Sequence, residues 1–482
     1  MSCFRASIPQ VGSLLQESVT AIGNTSSLST MMLVAWRFAR RLTVALVEEE
    51  LAKRAQRPTE WPNCERCGKK LENKEFKHRQ LTGLIGTVHW ERRVGRCPDG
   101  CEIGQVAPLD RELGLQPNQR TSAGLKRAAC ALAVFVPFEI AVVLLKLLTE
   151  AVVSPGSIWN WVQAAGQASM DRLKQQLEAL KDGQESSEEI EAAIAALPLL
   201  VGADGVMVPF RPQGGKPHGR TVWREVKVAV LARLSQRITR TGKQASQLVQ
   251  RRLVAVLGSI DDLSPRLWLE ARRQGMMSAK IVVWLCDGGR GFWRLFRDRF
   301  EQHAQGILDF YHVAQNVWKG AKVWLDGRTK RSRRWFAQAR RKLRRGQANE
   351  VLADLQAALA LNDLPDSARK TLQNLYNYLD THRDHIDYAR FKALGLPIGS
   401  GLVESACKWL IQQRFKGVGM RWSEDGFNHL LHLRLDWVNG RFDDLFALAT
   451  SPCCGMRPDG VAAIPSPKNG TGTFRFIPLK PH

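Results

Sequence analysis

The chain has 482 residues, enough for two or three domains that each bury a core of their own. Seventy Lys and Arg against 46 Asp and Glu leave a formal charge of +24 at pH 7, more than solubility alone requires, and the excess points to a polyanion, nucleic acid first, as partner. Residues 1–31 lack the compact apolar run and small-residue cleavage site of a secretory signal, and the apolar stretch 128–148 is broken by Pro137, Glu139 and Lys146, so a cytoplasmic, nucleoid-associated location without a membrane span is expected.

Residues 1–56, Ser-rich at the start, read as a partly disordered N-terminal segment. From 57 to 112, short alternating runs such as Thr87-Val88-His89-Trp90 lie between two cysteine pairs, Cys64 with Cys67 and Cys97 with Cys101. Thiols in a reducing compartment stay free, so these four predict a small zinc-ribbon-like unit, with plain reduced cysteines as the alternative and His89 as a spare ligand. Over 113–170 the apolar spacing becomes helical. Helices at 138–149 and 155–167, joined by a turn with Ser154 as cap and Pro155 at the first helical position, form a pattern like a helix-turn-helix. Its second helix would present Ser157, Asn160 and Gln163 to base edges; a buried apolar hairpin is the plain alternative. A charged helical linker follows over 171–197.

Pro198 ends that helix. Residues 199–208, 224–234 and 253–258 read as strands, 266–273 as a helix, 280–286 as a strand buried on both faces, 291–303 as a helix and 307–310 as a last strand. Three strands, helix, strand, helix, strand and then helices predict an α/β fold with a mixed sheet. That order resembles the ribonuclease H-like fold, with a first catalytic part over 198–312, a helical insertion over 313–396, closing helices over 397–447 and a loose tail over 448–482.

Asp204 and Asp287 each stand where a strand runs out, and in such a sheet the two strands are neighbours, so their carboxylates would meet at one edge. Both precede glycine, and either one alone reads as a turn residue. Glu404, in Gly399-Ser400-Gly401-Leu402-Val403-Glu404, is the third acid, on a helix that Ser400 can cap; taken alone it reads as one half of an ion pair with Lys408. Three carboxylates suit magnesium or manganese, hard ions that serve phosphoryl transfer in pairs. Between Asp287 and Glu404, residues 319–345 carry twelve Lys or Arg against the single acid Asp326, with Trp324 and Trp335 interleaved and Trp318 just before. Arg340, Arg341, Arg344 and Arg345 from this block are candidate phosphate contacts, and the tryptophans are either base-stacking surfaces or core.

The run from Gly399 through Val403-Glu404-Ser405-Ala406-Cys407-Lys408, then Arg414 and Gly419-Met420-Arg421-Trp422-Ser423, resembles the C-terminal signature of bacterial insertion-sequence transposases of the Kra type. Those enzymes are related to Mutator-like transposases, whose acid, two residues and His between the second Asp and the Glu are matched by Asp309-Phe310-Tyr311-His312. The resemblance implies a magnesium site of Asp204, Asp287 and Glu404, a supporting pair Asp309 and His312, and DNA contacts that include Arg421 and Trp422. Asp309 competes with Asp287 as second ligand but lies one strand farther from Asp204. The expected activity is cleavage and strand transfer at terminal inverted repeats by a homodimer or larger synaptic assembly. A DNA-binding regulator descended from such an enzyme, or a nuclease on the same fold, are the alternatives.

Overall fold

The computed structural model describes residues 9–184, 188–212, 219–238, 242 and 244–446. The tail expected to be loose over 448–482 lies outside them. Residues 1–8 of the N-terminal segment lie outside the described residues; beyond them α1 (Pro9–Gly23) and α2 (Leu28–Gln56) pack together, and Ser27 starts α2 by accepting the Thr30 N–H. A helix cap is a place where Ser is favoured for the same reason that it disfavours helix interiors. An antiparallel hairpin, β1 (Glu72–Thr82) and β2 (Thr87–Arg96), carries the cysteine pairs near its ends and is followed by α3 (Pro108–Glu112). Leu51 of α2 closes over Val88 and Trp90 of β2.

The next three helices are α4 (Ala123–Phe135), α5 (Phe138–Thr149) and α6 (Pro155–Lys181), with Ser122 and Ser154 capping α4 and α6. Helix α6 absorbs much of the expected linker, and only the short α7 (Ala192–Ala195) precedes Pro198.

Strands β3 (Leu199–Phe210), β4 (Val222–Ile238) and β5 (Gln244–Leu257) form an antiparallel meander. Helix α8 (Ile260–Arg273), opened by a reciprocal Ser259–Asp262 cap, leads to β6 (Val282–Cys286), which lies parallel to β3. Helix α9 (Arg290–Leu295) widens into a π turn over Phe296–Phe300 and leads to β7 (Gln305–Leu308), parallel to β6. The five-stranded sheet, in the order β5-β4-β3-β6-β7, is mixed, as the sequence order predicts. All five residues of β6 are buried, which is why it reads as an unbroken apolar run.

The insertion is a group of helices, α10 (Phe310–Leu325), α11 (Lys330–Arg344), α12 (Ala348–Leu359), α13 (Asp366–Thr381) and α14 (Tyr388–Ala393). Then α15 (Gly401–Ala406) runs through a π turn, Cys407–Gln412, into α16 (Gln413–Phe415), and α17 (Glu424–Val438) packs along α6. One core joins β3, β6 and β7 to α8, α9 and the insertion; a second joins β3, β4 and β5 to α4, α6, α15 and α17. Two buried guanidiniums fasten this second layer. Arg414 donates to the Ala133 carbonyl and Arg434 to that of Val134, at the C-terminal end of α4, while Arg434 also holds the Trp409 and Leu410 carbonyls of the π turn. Orphan carbonyls at a helix end are the natural partners of a buried cation. Among the described residues no helix is long and apolar enough to cross a membrane.

Candidate active site

The parallel register sets Ala203 beside Cys286 and Cys286 beside Leu308. One residue further come Asp204, Asp287 and Asp309. The two latter stand just past the ends of β6 and β7, whereas Asp204 lies within β3, which runs on to Phe210 instead of ending at the acid as expected from the sequence, because β4 stays paired with it beyond β6. Glu404 comes from above them. Val403, its neighbour in α15, sits over Gly202 of β3, where an added Cβ would lie 3.5 Å from the Val403 Cβ.

Burial, first, and then the negative charges of Asp287 and Glu404 push the Asp204 carboxyl up to about 6, while the Gly205 N–H and His312 pull the other way. Asp204 therefore senses both other acids and the histidine across one shared space. Among the described residues none of the three acids has a cationic partner. The Asp204 carboxylate accepts only the Gly205 N–H at 2.7 Å, that of Asp287 only the Gly289 N–H at 2.9 Å, and the Glu404 carboxylate accepts nothing, Lys408 included. Half-buried carboxylates without a counter-charge are costly. This donor set of hard oxygens fits a divalent cation.

Asp309 is built differently. It is 1% exposed, and its two oxygens accept the backbone N–H groups of His312, at 2.7 Å, and of Ser400. It thereby caps α10 and ties β7 to the turn that launches α15, and both of its oxygens are engaged. The His312 ring is not its partner; that ring's Nδ1 is buried without a hydrogen bond. Two residues that sequence reasoning missed complete the wall. Trp293 donates its indole N–H to the Asp287 carbonyl at 2.7 Å. Tyr378 of α13 lies on Gly288, where an added Cβ would be 2.3 Å from its ring, so the Asp-Gly pair serves close packing as well as the turn. Nothing in their spacing separates either residue from ordinary core.

The four cysteines converge: the sulfurs of Cys64, Cys67, Cys97 and Cys101 all lie within 4.8 Å of one another. Among the described residues this is the one group of three or more metal-capable side chains drawn together that tightly. Backbone N–H groups of Cys67 and Arg66 point at the Cys64 sulfur and hold its thiol below the usual range. The turns after Cys64 and Cys97 close through Gly68 and Gly100, both at positive φ. This is a donor set for zinc. His89 stands apart, its ring stacked on His78 with 3.3 Å between their nitrogens.

The expected DNA contacts divide. Asn160 is exposed, and Ser157 bonds to the capping Ser154 at 3.0 Å. Gln163 is turned into the packing of α6 on α17, sharing a 2.6 Å hydrogen bond with His429, so its amide serves the fold. A Cβ on Gly166 would lie 2.5 Å from the His429 Cα, which shows how close the two helices run. Arg341, Arg344 and Arg345 are exposed; Arg340 and Arg344 lie 5.8 and 4.7 Å from the ring of Phe310, next to Asp309, so the end of α11 approaches the acidic edge. The tryptophans of this block are core: Trp324 meets Trp335 edge-on at 5.3 Å and Trp318 packs on Phe336. Arg421 is exposed and donates to the Gly219 carbonyl. Trp422 is 8% exposed and donates its N–H to the Phe415 carbonyl, so it anchors the loop from inside and offers no face to a base.

A loose likeness exists to the solved "Drosophila P element transposase strand transfer complex", at TM-score 0.33 and 12% identity, over 70% of this chain and 96% of that one. A curated relative, the "UPF0236 protein in vanSb 3'region" of Streptococcus gallolyticus, is 26% identical over 376 residues, 76% of this chain and 74% of its own length. The profile of the uncharacterised protein family UPF0236 matches residues 39–444, and the chain belongs to that family.

Proposed function

We propose that the chain is a DDE transposase that cuts DNA at the terminal inverted repeats of an insertion sequence and joins the freed ends to a target. The observation that supports this is that Asp287, just past the end of β6, and Glu404 on α15 lie within electrostatic reach of Asp204 within the adjacent β3, with no cation paired to them among the described residues. The strand order and senses fit a ribonuclease H-like sheet, and the motif around Glu404 resembles the Kra-type transposases and, more remotely, the Mutator-like ones. Magnesium or manganese held by the three acids would activate the attacking oxygen and stabilise the leaving one, chemistry that uses a pair of ions about 4 Å apart.

The chain's own residues do the rest. Asp309 fixes the turn before α15 and so the position of Glu404, Trp293 steadies the Asp287 turn through its carbonyl, and the insertion covers the site through Tyr378. The cysteine unit, with zinc, and α4 to α6 would hold the repeat end, and pairing of two ends calls for two or more copies. The test is magnesium-dependent nicking of a labelled repeat end beside a gel shift on the same preparation. A wild type that binds ends without ever cutting them favours a DNA-binding regulator.

Binding is expected to weaken steeply with salt, each neutralised phosphate contributing a slope of about −0.9 in log K against log salt. Arg341→Ala with Arg345→Ala should flatten that slope by roughly 2. An unchanged slope places the end of α11 away from DNA.

A further inference from the structure

We propose that Trp223 and the cations around it form a platform on which unpaired bases of a DNA strand stack. Trp36, Trp223 and Trp409 are the exposed tryptophans among the described residues. Trp223 differs from the other two in its surroundings. It opens β4 with its side chain 51% exposed, and the Lys416 ammonium lies 5.4 Å from its ring. The chain between α16 and α17 is bound alongside the end of β3: the Arg211 N–H reaches the Trp422 carbonyl at 2.9 Å and the Trp422 N–H reaches that of Pro209 at 3.2 Å. Pro209 is the cross-strand partner of Trp223. These pairings bring the segment that carries Lys416 and Arg421 alongside the end of β3, which carries Arg211, next to the start of β4 with Trp223.

Two acids nearby are already paired, Glu424 with Arg224 and Glu225 with Lys227, and do not face Lys416 as counter-charges. Met207, exposed and diagonal to Trp223 on the same face of the sheet, widens the apolar floor. An aromatic face edged by cations is what a single strand binds without regard to sequence, because every base has a face to stack and every nucleotide a phosphate. A duplex keeps its bases stacked on one another and gains only the charge. Pro209 is five residues beyond Asp204 on β3, about 17 Å at strand rise, and the odd spacing puts the platform on the other face of the strand from Asp204.

The platform deepens the transposase reading by naming the form of DNA bound, and its test uses binding in EDTA, so a failure of stacking and a failure of cutting are separate results. Fluorescence anisotropy of the full-length protein compares a labelled blunt duplex with the same duplex bearing a short single-stranded extension. Wild type is expected to prefer the extended probe by about tenfold, near the lower end of what stacking of a base supplies. Trp223→Ala should bring the two affinities together with duplex binding unchanged, and Trp223→Phe should keep most of the preference. No preference in the wild type, the same preference in Trp223→Ala, or an equal loss on both probes would overturn the proposal.

Discussion

Asp204→Asn is expected to make the metal-free protein more stable than the wild type at neutral pH while reducing magnesium-dependent nicking to background. Burial and the neighbouring acids raise this carboxyl to about 6 in the folded chain, against about 3.9 in an exposed one. A group whose pKa folding raises contributes its full stability below the unfolded value and loses it as pH rises through the folded value. Over the interval from about pH 4 to about pH 6 the wild type should therefore lose on the order of 1–3 kcal/mol at this site. The Asn variant should not. The difference in melting midpoint should close near the acid end of that interval and be complete above its upper end. Magnesium or manganese should then stabilise the wild type and leave Asp204→Asn almost unmoved, because an ion that binds only the folded state stabilises in proportion to its affinity. Asp287→Asn and Glu404→Gln should also end nicking, since two-ion chemistry fails when either ion is misplaced. Wild-type cutting by any of the three removes that residue from the site.

Asp309→Asn tests a different property. Both of its oxygens face backbone N–H donors, so an amide must turn its own NH2 toward one of them. A loss of stability is expected here, where neutralising Asp204 brings a gain. The two variants thus separate an acid that holds a turn from an acid that waits for a cation.

How far these roles were legible depends on what each rests on. The sheet could be read because β6 is apolar throughout and β3 and β4 also carry long apolar runs, patterns that follow directly from burial on both faces. Asp204 and Asp287 could be paired because they follow the stretches of β3 and β6 that the strand order makes parallel neighbours, although β3 itself runs on past Asp204 to Phe210. Glu404 was beyond periodicity: α15 is six residues long, and only the motif around it drew attention. The contacts of Asp309 with Ser400 span 91 positions, and those of Tyr378 with the Asp287 turn come from the insertion, so no local pattern records them. Trp422 and Trp223 show the same limit from the other side. Both are tryptophans among basic residues, and the motif favoured the one that the fold buries. Which ring faces solvent is decided by the pairing of β3 with β4 and with the loop before α17, a tertiary fact.

Removing zinc, by chelation or by Cys97→Ser, is expected to unfold the 57–112 unit and abolish repeat-end binding while the β3–β7 core stays folded. The reason is the small size of what else holds that unit. At the cysteine end its cluster has three buried members, Cys64, Leu71 and Cys97, two of them the thiols themselves, with Trp61, Cys101, Ile103 and Val106 alongside, and the far end of the hairpin adds only Val88 and Trp90 under Leu51 of α2. So few side chains cannot meet the entropy of ordering the segment, whereas a structural zinc on thiolates contributes roughly 10–16 kcal/mol in small finger peptides near neutral pH. The sheet core shares none of these residues. Metal analysis should find about one zinc per chain. Limited proteolysis should cut first between the two cysteine pairs after chelation, and the melting of the remainder should persist. Reduced, folded protein that contains no zinc and resists proteolysis equally with and without chelator would dispose of the centre. Protein that loses zinc and the fold of this unit but still shifts repeat ends would keep the centre and move end recognition to α4, α5 and the exposed side of α6.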